Sequence, residues 1–77
     1  MMSNDDRLIY MLNQIARNFA AGGPEAAARS TADHVASFWD PRMRRRIKEL
    51  HAARPHDFGA VAQSALDMLA RDATMGA

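Results

Sequence analysis

Phe38-Trp39-Asp40-Pro41-Arg42-Met43-Arg44-Arg45-Arg46-Ile47 is the stretch on which the fold turns. Asp40 offers a carboxylate to NH groups further along, and Pro41 lacks the NH that a first helical turn would orphan anyway. One helix therefore closes at Trp39 and another opens at Pro41. Met43, Ile47 and Leu50 then fall on one side of the second helix, with charges around the remainder, so it is amphipathic. It ends before Pro55, which pushes Arg54 out of helical backbone, giving residues 41–53.

Working outward, the same logic organises the rest of the chain. Asp57 is placed to cap a last helix over about residues 58–72, with the stripe Phe58, Val61, Ala62, Ala65, Leu66 and Leu69. Upstream, Gly22-Gly23-Pro24 stops one helix and presets the backbone of the next. That next helix covers residues 24–39 on the stripe Ala28, Thr31 or Ala32, Val35 and Phe38 or Trp39, and its alanines permit close approach of a neighbour. The first helix covers residues 5–21. Ser3 or Asn4 caps it, Asp5 and Asp6 suit the positive end of its dipole, and Leu8, Leu12, Ile15 and Phe19 form its stripe, widened by Met11 and Ala16. No window alternates as a strand does. The expectation is an all-α protein, a small bundle of about four short amphipathic helices in one domain over residues 1–77, frayed at about 1–4 and 74–77.

Composition restricts the function. At 77 residues the core is thin, and a chain of this size is marginal without support. With 48% hydrophobic and 25% charged residues it is nonetheless globular rather than disordered. The absence of cysteine excludes a disulfide scaffold, a thiolate zinc site, a cysteine-ligated iron–sulfur cluster and a cysteine nucleophile within these residues. No run approaches the ~18 apolar residues of a membrane span. The start Met1-Met2-Ser3-Asn4-Asp5-Asp6 has no basic or apolar leader character, and the expected location is cytoplasmic.

Charge is separated along the chain. The whole carries a formal +1, yet Arg42, Arg44, Arg45, Arg46 and Lys48 crowd one helix against the single carboxylate of Glu49, leaving the remainder net negative. Two readings stand side by side: a patch for phosphate or an acidic protein surface, to which the planar guanidinium fork is suited, and a merely solvated helix face. Arg42 lies in a first turn, where a cation opposes the helix dipole, so something other than helix stability favours it. Phe38 and Trp39 diverge by about 100° around the axis. Phe38 is expected in the core, and Trp39, the single tryptophan, in a shared core or interface role.

The rest of the reactive inventory is bland. His34, His51 and His56 lack ligand spacing, and Ser30, Ser37 and Ser64 sit in helix interiors without a placed base. Gly22-Gly23 lacks a phosphate-loop context. Asp5 with Asp6, or Asp67 with Asp72, read as exposed helix carboxylates rather than acid/base pairs, so no catalytic residue is expected.

Three runs together carry a family signal: Leu8-x-x-Met11-Leu12-Asn13-Gln14-Ile15-Ala16-x-x-Phe19, then Ala32-Asp33-His34-Val35, then Phe38-Trp39-Asp40-Pro41-Arg42-Met43-Arg44. Over residues 8–47 the chain resembles the delta subunit of cytoplasmic, NAD-dependent, molybdenum-containing formate dehydrogenases, and the Phe-Trp-Asp-Pro-Arg-Met-Arg run is the specific part. The resemblance is weaker over the last helix. It implies an accessory, non-catalytic subunit of a complex whose larger chains hold molybdopterin, iron–sulfur clusters and FMN and pass electrons from formate to NAD. This chain would hold no cofactor or metal, and would dock on the large molybdenum-containing subunit, supporting assembly or stability.

The expected partner-binding residues are Trp39 as an apolar anchor, Asp40 and Pro41 as a fixed corner, and Arg42, Arg44 and Arg45 as charge-paired contacts. Asn13 and Gln14 are added because the family motif includes them. The isolated chain is expected as a monomer or weak homodimer, with neither nucleic acid nor membrane as partner. The competing reading is a small helical nucleic-acid-binding module using the basic helix over residues 42–48.

Overall fold

A serine placed before an acidic turn starts the chain's first helix as capping chemistry requires. The computed structural model describes residues 2–75. In it, the Ser3 hydroxyl accepts from the Asp6 NH at 3.1 Å while the Asp6 carboxylate accepts from the Ser3 NH at 3.2 Å, a reciprocal capping box. Helix α1 (Asn4–Asn18) follows. It is shorter than the expected span to residue 21, because Ala20–Gly22 form a 3-10 turn instead. Small residues there suit either winding, and only bonds such as Gly23 N to Ala20 O, 3.1 Å, distinguish them. Gly23 stands at φ 93°, a region open to glycine, and Pro24 opens α2 (Pro24–Phe38).

Helix α3 (Pro41–Ala53) has the span read from its prolines. A 3-10 turn, Pro55–Asp57, then precedes α4 (Ala60–Met75). The expected start of α4 at residue 58 is displaced by that turn: Phe58 is extended backbone and Asp57 does not cap the helix. Among the described residues there is no strand. Ser3 and Asn4, within the stretch expected to fray, form the cap and first residue of α1. At the other end α4 runs through Met75, and Met1, Gly76 and Ala77 lie outside the described residues.

Helix α2 packs most extensively on α4. Ala27, Ala28 and Ala32 on α2 and Ala62 and Ala65 on α4 are buried, and side chains this small let helix axes approach closely. Thr31, buried among them, satisfies its hydroxyl by donating to the Ala27 carbonyl at 2.7 Å. Helix α1 packs on α3, and also touches α2 and α4. The larger side chains meet there: Ile9, Leu12, Val35, Trp39, Ile47, Leu50, Phe58 and Leu66 make one buried cluster, edged by Leu8, Ile15, Met43, Val61 and Leu69. Fully burying side chains of this size contributes about 1.5–3 kcal/mol each, which is the main force holding the bundle.

The stripe on α1 is rotated from the expected one. Its buried centre is Ile9, Leu12 and Ala16, while Leu8 and Ile15 are at the edge and Met11 and Phe19 are exposed. On α2 the ambiguity between Phe38 and Trp39 resolves against the expectation that Phe38 is core. Trp39 is 5% exposed and Phe38 76%. Val35 and Trp39 are one helical turn apart on the line that already buries Ala28 and Ala32, so the tryptophan continues the buried side and Phe38 is carried outward.

Candidate functional site

The corner between α2 and α3 is built almost entirely by Asp40, Pro41 and Arg44. The Trp39 NH donates to the Val35 carbonyl at 3.0 Å, closing α2, and Trp39 itself turns to extended backbone. Asp40 Oδ1 then accepts from the Met43 NH at 2.9 Å, with Pro41 in the first helical position. The Arg44 guanidinium reaches back to donate to the Trp39 carbonyl and, at 3.5 Å, to the Ala36 carbonyl. A cation at these orphaned carbonyls also suits the negative end of the α2 dipole.

The four arginines of α3 therefore divide by job. Arg44 seals α2. Arg46 grips Asp5 of α1 with two nearly parallel bonds, Nε to Oδ1 at 2.9 Å and Nη2 to Oδ2 at 2.7 Å, and also donates to Glu49 at 3.0 Å. Just beyond α3, Arg54 bonds Asp6 at 2.9 Å and Asp57 at 2.7 Å. Hydrogen bonds from Arg46 hold the Asp5 carboxyl below its ordinary pKa, and Arg54 followed by Ser3 does the same for Asp6. The reciprocal effect raises Arg46 and Arg54, led in each case by the carboxylate hydrogen bonds. Arg42 and Arg45 are exposed, and no hydrogen bond or ion pair within the described residues engages either.

Asn13 works inside the chain. Its Nδ2 donates to the Asp57 carbonyl at 3.0 Å and its Oδ1 accepts from the Gly59 NH at 2.9 Å, so one amide fastens the entrance of α4 to α1. Both polar ends of Asn13 thus have a partner within the chain. Gln14, its neighbour, is exposed. Trp39, expected in a shared core or interface role, lies in the core with 5% of its surface exposed.

What the outer surface offers instead is Phe38. Its ring lies 4.8 Å from His34, one turn back on α2, and His34 in turn meets Phe19, at the end of α1, edge-on at 6.4 Å. Phe19, 37% exposed, and Phe38 thus form one aromatic patch bridged by a half-buried imidazole. Sequence reasoning missed it by assigning both phenylalanines to the core. The spacing of His34 and Phe38 by one turn was available, but the approach of Phe19 across helices was not.

The remaining imidazoles build no centre. His51 packs edge-on to Phe58 at 5.3 Å, and His56 is exposed in the turn before α4. Among the described residues no three His, Asp or Glu side chains come together in a way that could hold a metal ion. Nor is any helix among them long and apolar enough to cross a membrane.

The fold and this surface define a class: a small all-helical chain, locked internally by several of its arginines, that shows aromatic rings and further arginines, Arg42 and Arg45 among them, to its surroundings. The chain belongs to the NADH-dependent formate dehydrogenase delta subunit (FdsD) family, whose model matches residues 7–66. That match extends past the specific run at Phe38–Arg44 into α4. No curated protein and no solved structure was found to match it.

Proposed function

We propose that the chain is a non-catalytic accessory subunit of an NAD-dependent formate dehydrogenase complex in the cytoplasm, docking on the large molybdenum-containing subunit and supporting assembly or stability. Family membership over residues 7–66 is the observation that carries this reading. The donor chemistry agrees with it, because a chain without cysteine has no thiolates for an iron–sulfur cluster, and its three histidines are dispersed. Molybdopterin, the clusters, FMN and NAD then belong to the larger chains. The contribution of this chain is surface: apolar area removed from water on docking stabilises both partners by mass action.

Within the proposed site, Asp40 and Pro41 fix the angle of the corner, while Arg42, Arg45 and Gln14 are available for polar contacts. Arg44, Asn13 and Trp39 serve from beneath by holding that corner and the α4 entrance in shape. The nucleic-acid reading of the basic helix loses support, since Arg44 and Arg46 are already committed within the chain and the cationic stripe is correspondingly thinner.

The test is to co-express the larger formate dehydrogenase subunits with and without this chain, purify them through a tag on the large subunit, and follow composition by native mass spectrometry. Stoichiometric recovery of the chain, with less intact complex in its absence, is expected. A chain never recovered with those subunits, or one that oxidises formate when purified alone, overturns the reading.

A further inference from the structure

We propose that the face formed by Phe19, His34 and Phe38, together with Arg42 and Arg45 just across the Asp40-Pro41 corner, is the docking surface for a protein of the formate dehydrogenase complex, and that it seats in an apolar pocket rimmed by carboxylates. This rests on the accessory-subunit reading and adds to it the surface used and the chemistry of the surface it meets.

Exposure argues for a contact. Phe38 leaves 76% of its surface in water although a buried position lies one residue further on, and its ring packs on His34, which in turn meets Phe19. A ring held in place loses little conformational freedom on binding, which is the property of an interface anchor. Tyr10, by contrast, is an exposed ring on a different side of α1 that meets no other aromatic ring among the described residues.

Charge argues for the kind of partner. Of the five arginines in and just beyond α3, Arg44, Arg46 and Arg54 are bonded internally, while Arg42 and Arg45 are not. Arg42 sits in the first turn of α3, where its charge opposes the dipole. An incoming carboxylate would pair with the guanidinium and also face the favourable end of the helix. A second copy of this chain is a poorer occupant, because a two-fold contact through this face sets its arginines against one another.

The test titrates the purified complex of larger subunits, prepared without this chain, with the wild-type chain and three variants whose helicity is checked by circular dichroism. Phe38→Ser is expected to lower affinity by about 30-fold or more, as loss of an interface anchor does. Arg42→Glu with Arg45→Glu is expected to lower it about tenfold or more and to reverse the sign of its salt dependence. Tyr10→Ser is expected to bind as wild type does. A photoreactive phenylalanine analogue replacing Phe38 is expected to cross-link to an Asp- or Glu-containing peptide of a large subunit.

Wild-type binding undiminished in the Phe38 and double-arginine variants overturns this face while leaving the accessory role standing. Failure of the wild-type chain to bind overturns both. Should Phe38→Ser not fold, the double-arginine variant and the cross-link decide. Self-association abolished by Phe38→Ser, or salt-sensitive binding of a single-stranded oligonucleotide lost in the arginine variant, would assign the face to a second copy or to nucleic acid and overturn the proposal.

Discussion

Trp39 and Phe38 are neighbours in the chain and opposites in the structure, and the arginines beside them divide in the same way. On the inner side of the corner, Trp39 joins Leu12, Val35 and Ile47 in the core, and Arg44 and Arg46 fasten α3 to α2 and α1. On the outer side, Phe38 rests on His34, which meets Phe19, and Arg42 and Arg45 face solvent. The difference shows that residue type does not decide role here. An aromatic ring and an arginine each serve stability or recognition according to which side of α2 and α3 the helical angle assigns them.

The comparison breaks most sharply at Trp39. Trp39→Ala should cost about 3–5 kcal/mol, the usual cost of emptying a buried aromatic site, and in a chain this small that removes most of the folded population. Circular dichroism melts check it, and a variant that stays fully helical with an unchanged midpoint would contradict the buried placement. Asn13→Ala comes next. It leaves the Asp57 carbonyl and Gly59 NH without their partner and should cost about 1–2 kcal/mol, with exchange protection lost first at the start of α4.

Acid should loosen the inner side selectively. The Asp5 and Asp6 pKa values are lowered in the folded state, so their contribution is complete above the ordinary carboxylate range near ~4 and is lost as pH falls through that range toward the folded values. Melting temperature should fall over this interval, and Asp5→Asn with Asp6→Asn should flatten the slope. Because both pairs are partly solvated, added salt should weaken the same effect. The smallest effect on stability belongs to the outer side: Phe38→Ser should change unfolding free energy by no more than about 0.5 kcal/mol, as surface substitutions usually do, while solubility of the isolated chain rises.

How legible was this in the sequence? The span of α3 was readable outright, because Asp40-Pro41 and Arg54-Pro55 act through backbone chemistry that needs no distant partner. The start of α4 was not. Asp57 looked like a cap, yet its carboxylate bonds Arg54 and the Gly59 NH is met by Asn13, far back in the chain. Asn13 was singled out for its place in the family motif but assigned to a partner, and its actual bonds are to the same chain. The corner formed by Asp40 and Pro41 was found, whereas the aromatic patch was not.

Helix number, helix order and family membership were determined by the sequence itself, since capping residues, prolines and the Phe-Trp-Asp-Pro-Arg-Met-Arg run act locally or can be matched directly. Which of two adjacent rings is buried, which arginines are consumed internally and which are left outside were decided only by the tertiary structure. The physical reason is angular: each residue turns about 100° around the helix axis, so a stripe drawn from apolar spacing alone leaves its edges ambiguous until neighbouring helices press on one side.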